Sequence, residues 1–536
     1  MSNELIYFDV NAGCGAYPNK PPEARWSLDH LLEDMDLAGI AGALVFHHQA
    51  IYSEAMEGNR RLVGEIQEHR ERLFPCWVAL PSIGGDFPLA GDFVREMKDH
   101  AVKAVRIDTA HFEPPISESV WRPLRDALGE IGALCLFVAE YGGGNLHHID
   151  RLLEIFKGVQ CVLLNHGWMQ WRNVCALMEG HPHLHLEFSH FQANRAMEYF
   201  AGRFGVERCL FGTGLPHRAP GAARGFLDFS LLPRDQAQQA AGGNLRRLLG
   251  GIGPRKPPPA SRWHDALTTS ARAGVALDGL VMDAHCHIGH DGCRSLAANI
   301  VAIQGDADGM IELTRRSGIK KTAIMSWAGP LAMESRRGNE IVAEAVRRYP
   351  DEFLGLATVN AEYDDPKTID QIIRRYHDEL GFAGLKTFTP NQTIDYDDPL
   401  LERWLTYGNE HRLYLVLDPK GGMAATKTIE NLARRYPDLS IHLDHCGQSW
   451  EYAKWAAELA LRHNNIFAQL NYTLVTNGVI EYLVDHISAE RVLFGTDAPM
   501  RDPRPQLAWV VFTRLHERQK RLILGENFAR QLALRR

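Results

Sequence analysis

The chain has 536 residues, 45% of them hydrophobic and 23% charged, which excludes a disordered polymer and is too long for one simple domain. Its 58 Lys and Arg against 66 Asp and Glu leave a formal net charge of −8 with no basic block, so nucleic acid is not expected as a partner. Nine scattered Cys without a CxxC pair exclude a disulfide framework and a thiolate zinc module, and no apolar run approaches the ~18 residues of a membrane span.

The opening Met-Ser-Asn-Glu-Leu lacks the basic-then-apolar plan of a secretory signal, so a soluble, cytoplasmic protein is expected. In chain order, Gly39-Ile40 then introduces the apolar run from Ala43 to Phe46, and Gly58-Asn59 opens a helical stretch. Ala104-Val105-Arg106, Leu134 to Val138 and Cys161 to Leu164 follow as short apolar strands, the last leading into Asn165-His166-Gly167. His181-Pro-His183 and His183-Leu-His185 are expected to be a turn and a surface strand position. Leu210-Phe211-Gly212-Thr213-Gly214-Leu215-Pro216 and Gly242-Gly243-Asn244 close this part.

Four prolines between Pro254 and Pro259 then forbid helix continuation and favour a semi-rigid spacer. Beyond it the same patterns return in the same order. Gly318-Ile319, Gly338-Asn339 and Gly384-Leu385-Lys386 stand 279 or 280 residues after their counterparts. Leu443-Asp444-His445-Cys446-Gly447 stands 279 after its own counterpart, and Leu493-Phe494-Gly495-Thr496-Asp497-Ala498-Pro499 stands 283 after. Near-constant offsets over half a chain indicate two copies of one unit.

Short continuous apolar strands alternating with capped helices indicate a parallel sheet covered on both faces. With ~250 residues per copy the expected fold is two tandem (β/α)8 TIM-like barrels, an open doubly wound sheet being the alternative. The boundaries read as 1–252, a proline-rich linker at 253–278, and 279–536. Chemistry in either fold belongs at the carboxyl ends of the strands.

In the second copy, His285 and His287 lie two apart on an apolar strand, so both imidazoles face one way, as a metal ion held by nitrogen requires. A His-x-His triplet alone is weak, since the chain holds three of them. Lys386, Asp418, His445 and Asp497 sit at later strand ends. Singly, each has an ordinary explanation as a helix cap, a satisfied hydrogen-bonder or a solvated charge. Their convergence at one end of one barrel favours a site.

The ordered strings Asp283-Ala284-His285-Cys286-His287, His442-Leu443-Asp444-His445-Cys446-Gly447 and Phe494-Gly495-Thr496-Asp497-Ala498-Pro499 resemble the amidohydrolase superfamily. The likeness is to its amidohydrolase-related branch, which includes aminocarboxymuconate-semialdehyde decarboxylase, resorcylate-type decarboxylases and several hydrolases. The resemblance implies a divalent metal, zinc or else manganese, on His285, His287 and Asp497, with His445 catalytic beside it. The family usually has a metal-binding His where this chain has Asp418-Pro419, and Asp418 is the expected fourth ligand.

The resemblance implies hydrolysis of a small carboxylate-bearing amide, lactone or related carbonyl. Asp497 would take a proton from a bound water, His445 would polarise the carbonyl or protonate the leaving group, and Lys386 would hold a carboxylate or oxyanion. Non-oxidative decarboxylation of an aromatic or muconate-like acid is the alternative, and a non-catalytic binding or scaffold tandem is the second.

The first copy is expected to be degenerate. Asn11-Ala12-Gly13 stands at the His-pair position and Gly214 at that of Asp497; Arg106 replaces Lys386, Ala139-Glu140 ends the fifth strand, and His166 is matched to His445 as a structural hydrogen-bonder. This copy is expected to buttress the second as an intramolecular pseudo-dimer, with homo-oligomers possible in principle, and Arg218 is a candidate for the rim of the second copy's site.

Overall fold

The computed structural model describes residues 4–254, 258–297 and 299–535. It contains two compact units. One takes in residues up to Gln192, Ala196–His264 and Arg272–Gly274; the other takes in Ala193–Arg195, Asp265–Ala271 and Val275 onward. Of the proline-rich segment, residues 255–257 lie outside the described residues. Further along, Ala266–Arg272 is a helix where a spacer was expected.

The first unit is an eight-stranded parallel barrel of β1 (Tyr7–Cys14), β2 (Ile40–His47), β3 (Leu73–Val78), β4 (Ala104–Ile107), β5 (Leu134–Val138), β6 (Cys161–Leu164), β7 (Leu184–Glu187) and β8 (Cys209–Leu210). The second unit opens with β9 (Met282–Ile288) and a small antiparallel hairpin, β10 (Ser295–Ala297) with β11 (Ile300–Val301). Its barrel continues through β12 (Lys321–Ser326), β13 (Phe353–Thr358), β14 (Gly384–Lys386), β15 (Tyr414–Leu417), β16 (Ser440–Leu443), β17 (Ile466–Leu470) and β18 (Val492–Phe494). Two tandem (β/α)8 barrels are therefore the fold.

Strands this short need burial on both faces to persist, and their sequences provide it. All five residues of β5 are buried, Leu134, Leu136 and Val138 alternating into a core shared with Phe8, Val10, Val162 and Leu164. Met282, Ala284, Met325, Leu356, Val416 and Leu493 fill the second barrel in the same way. Each such side chain contributes roughly 1.5–3 kcal/mol when removed from water.

The repeated Gly-Asn pairs have a common structural cause. Asn59, on the helix Ala55–Glu65, donates to the Val78 carbonyl at 2.9 Å and accepts from its N–H at 2.8 Å, pinning the end of β3. Asn339, on Ser335–Arg348, does the same to Thr358 at the end of β13, at 3.0 and 2.7 Å. Gly58 and Gly338 permit the close approach, because a Cβ would come within 2.2 Å of the Ala50 nitrogen and 2.5 Å of the Gly329 nitrogen.

A buried carboxylate closes each barrel. Asp9 accepts from the Thr213 N–H at 3.1 Å and its hydroxyl at 2.5 Å; Asp283 accepts from Thr496 at 3.0 and 2.5 Å. Beside each clamp the first strand carries a β-bulge, three residues spanning two of its neighbour, between Asp9 and Ala12 and between Asp283 and Cys286. The last strand end then bridges back to Ala12 or Cys286.

Two histidines differ from expectation. His185 is buried at 4% exposure on β7, its Nε2 paired with Gln160, because it lies in register with Val162 on the face that fills the barrel interior. His166 makes no hydrogen bond through either nitrogen. It packs against Phe191, and burial lowers its pKa to about 3, so it is a neutral apolar-packed ring and not a structural hydrogen-bonder. All nine Cys are free thiols. Among the described residues no helix is long and apolar enough to cross a membrane.

Burial raises the Asp9 pKa from 3.8 to about 7. The folded chain therefore binds more protons than the unfolded chain between about pH 4 and 7, and Asp9's share of stability falls as pH rises through that window. Urea unfolding across this range is expected to show a flatter pH dependence in Asp9→Asn. Thr213→Val, which strips the clamp of its hydroxyl donor, is expected to cost about 1–3 kcal/mol in the same assay.

Candidate active site

The bulge in β9 and the turn after β18 bring His285, His287 and Asp497 together at the carboxyl end of the second barrel. His285 Nε2 lies 3.0 Å from His287 Nε2 and 3.7 Å from Asp497 Oδ1, and His287 Nε2 lies 2.9 Å from the same oxygen. Ligand atoms at about 2.1 Å from one ion, at octahedral to tetrahedral angles, stand roughly 3.0–3.4 Å apart, so the triangle has the dimensions of a metal site. Two imidazoles and one carboxylate, all nearly fully buried, are also a donor set that a divalent cation accepts.

The surroundings orient these donors. His285 Nδ1 lies 2.9 Å from Gln469 Oε1, 3.0 Å from Asn471 Nδ2 and 3.1 Å from Asp444 Oδ1, contacts that fix the ring with Nε2 facing the triangle. Trp327 stacks on His287 with ring centroids 3.9 Å apart. Arg501 holds Asp497 through Oδ2, donates from Nε to Thr473 at 2.5 Å and lies over the Tyr472 ring. Burial, with His285 and Lys386 nearby, keeps the His287 pKa well below its ordinary value, so the imidazole is neutral and able to ligate.

A second group stands beside the first. His445 Nε2 lies 3.6 Å from both Asp418 and Asp444, and its backbone N–H donates to Asn471 Oδ1 at 2.8 Å. Burial alone would lower the His445 pKa, but Asp444 and Asp418 outweigh it and raise the value, favouring the imidazolium. Asp444 is held well below its ordinary range: His285, His445 and Lys386 together overcome the opposing effect of burial. Lys386 Nζ, 2% exposed as a residue, lies 3.5 Å from Asp444 Oδ2. Asp418 thus stands with Asp444 and His445, in a group separate from His285, His287 and Asp497.

His445 (φ 61°) and Asp497 (φ 54°) both have left-handed backbones, unusual outside glycine and a form of local strain. In the first barrel the left-handed residues at these turns are Asn165 (φ 60°) and Gly214 (φ 73°). Backbone geometry therefore pairs His445 with Asn165, correcting the match to His166. The first barrel also leaves no room for a ligand at the His287 position, where a Cβ on Gly13 would lie 2.7 Å from the Phe46 ring. Arg218 is buried within its own barrel against the Ser189 carbonyl.

The family model described as Amidohydrolase matches residues 17–251 and again 282–534. The chain belongs to the amidohydrolase family. Two γ-resorcylate decarboxylases are similar to this chain. That of Rhizobium radiobacter is 25% identical over an alignment covering 37% of this chain and 75% of the relative, and that of Rhizobium sp. (strain MTP-10005) is 24% identical with the same coverage. Among solved structures, a dihydroxybenzoic acid decarboxylase from Polaromonas sp. JS666 with bound manganese and 2-nitroresorcinol matches at 17% identity, with a TM-score of 0.41 over 48% of this chain and 98% of that one. The expectation of hydrolysis is corrected by the curated relatives, both of which are decarboxylases. Zinc is not singled out, since the donor set suits several divalent ions.

The motifs of this chain point to His285, His287 and Asp497 but not to the residues that support them. Asp444, Gln469, Asn471, Trp327 and Arg501 were missed, although Asp444 directly precedes His445 and shares its strand end. Metal analysis of the purified protein is expected to find a divalent ion that His285→Ala/His287→Ala loses. Adding that ion is expected to raise the melting temperature of the parent and not of the variant.

Proposed function

We propose that the second barrel is a metal-dependent, non-oxidative decarboxylase of a small aromatic or muconate-like acid. The observation that carries this reading is a proton donor beside a divalent-ion site: His445, held between Asp418 and Asp444, adjoins the cluster of His285, His287 and Asp497. Replacing a carboxylate by hydrogen needs a proton donor, and a cation beside it would stabilise the anionic substrate. The γ-resorcylate decarboxylases of similar sequence support the same reaction class.

The bond from the substrate carbon to its carboxylate breaks, the electron pair stays on that carbon, and a proton takes the place of CO2. No water is added. The cation, manganese or zinc, would be held by His285, His287 and Asp497 and would supply Lewis-acid stabilisation of anionic substrate oxygens. His445 holds the proton at Nε2 and delivers it to the carbon, with Asp418 and Asp444 stabilising the imidazolium before transfer. Lys386 orients the substrate by attracting its anionic oxygens. Trp327 provides an aromatic wall, shared with a cavity of about 420 Å³ that Gly289, Cys293, Leu331 and Ile341 also line.

Incubation of the metal-loaded protein with 2,6-dihydroxybenzoate in D2O is expected to release CO2 and an equimolar amount of ring-deuterated resorcinol. A hydrated product formed without CO2 would overturn the reading. His445→Asn is expected to lower kcat by ~10²–10⁴. Lys386→Met is expected to act mainly on KM, raising it by about tenfold or more.

A further inference from the structure

The first barrel has lost the donor set but has kept a cavity at the same strand ends. Its volume is about 270 Å³, and Asn11, Phe46, His48, Tyr52, Arg106 and His217 line it. For scale, an apolar cavity of ~150 Å³ holds benzene. The cavity therefore has room for one ring and a polar substituent. Ala110 and Glu140 line both this cavity and a wider cleft of about 610 Å³, giving a route in from solvent.

Arg106 defines what the substituent must be. It ends β4, is 5% exposed and faces the cavity. Its Nη1 donates to Asn11 Oδ1 at 3.3 Å, its Nε has no hydrogen-bond partner, and its guanidinium carbon lies 4.2 Å from the centre of the Phe46 ring. Among the described residues no carboxylate lies within ion-pair distance of it. A buried cation without a carboxylate in direct contact is costly, and a planar guanidinium matches a carboxylate in two parallel hydrogen bonds.

Two carboxylates, Asp108 and the buried Glu187, act on Arg106 without contacting it. Asp108 accepts from the Ala110 and His111 N–H groups at 3.2 Å and pairs with the His111 ring at 3.1 Å, while Glu140 is exposed. Burial lowers the His48 pKa to about 3 and that of His217 to about 4, so neither ring adds charge. They offer aromatic surface instead: His48 lies 4.9 Å from Phe46, 5.3 Å from His217 and 6.3 Å from Tyr52, centroid to centroid.

We propose that the first barrel binds a small single-ring aromatic carboxylate, its carboxylate on Arg106 and its ring among Phe46, His48, Tyr52 and His217, without a metal ion. The site is a binding site and not a catalytic one. It is independent of the decarboxylase reading, because it uses no residue of the second barrel.

The test titrates benzoate into full-length His285→Ala/His287→Ala/Lys386→Met protein in the presence of EDTA, which removes the second barrel's metal donors and its anion-attracting lysine. Calorimetry is expected to show one saturable site, at least tenfold weaker for the neutral analogue benzamide, and weakened at least tenfold by Arg106→Gln but less by Arg106→Lys. No saturable binding with Arg106 intact, equal binding of benzamide, or undiminished binding in a folded Arg106→Gln variant would each overturn the proposal. If Arg106→Gln does not fold, photolabelling of the parent with 4-azidobenzoate decides. Adducts on Tyr52, His217 or their cavity neighbours support the site, and adducts confined elsewhere overturn it.

Discussion

A carboxylate buried where a barrel's first and last strands meet is the constraint on which both halves of the molecule depend. Asp283 takes both the N–H and the hydroxyl of Thr496, and also the N–H of His285 at 3.0 Å. One side chain thereby joins the two chain segments that carry His285, His287 and Asp497. Burial raises its pKa to about 7, an electrostatic cost that three donated hydrogen bonds partly offset. Asp9 makes the corresponding contacts with Thr213 and the Asn11 N–H. Closure and alignment of the strand ends are thus the same act.

The two copies separate scaffold from chemistry. Both keep the carboxylate clamp, the bulge beside it and the Asn that pins the third strand. A further Asn does the same work near the end of each, Asn244 donating to Val206 and Cys209 carbonyls and Asn527 to those of Ala489 and Val492. These groups satisfy buried backbone atoms, so their loss would be felt whatever the barrel does. The strand-end side chains carry no such structural duty, and they diverge. Asn11, Gly13 and Gly214 replace the donor set, and Arg106, with no ion-pair contact among the described residues, stands where Lys386 faces Asp444.

The duplication, the barrel class and the cluster of His285, His287 and Asp497 were legible in the sequence because each rests on short, local strings. A His-x-His pair on one strand and Gly-Thr-Asp after another can be read without a fold. The supports of His285 cannot, because Asp444, Gln469 and Asn471 are 159, 184 and 186 residues away and meet it only across the barrel. Pairing His166 with His445 failed for a related reason: one residue fewer in the turn after β6 shifts which side chain takes the left-handed position. Hydrolysis and decarboxylation share their ligand pattern, so the motif alone did not separate them.

The left-handed turns at His445 and Asp497 have a consequence for how the two copies can change. A β-carbon in that conformation generally costs roughly 1–2 kcal/mol, whereas Gly214 adopts it freely and Asn165, like Asp497, at reduced cost. The second barrel is therefore under standing pressure at two of its chemical positions, where reversion to Gly or Asn relaxes the backbone while erasing the chemistry. The first barrel already occupies that relaxed endpoint. Installing a histidine at Asn165 or an aspartate at Gly214 would place a larger side chain on a left-handed backbone that Gly and Asn adopt more readily.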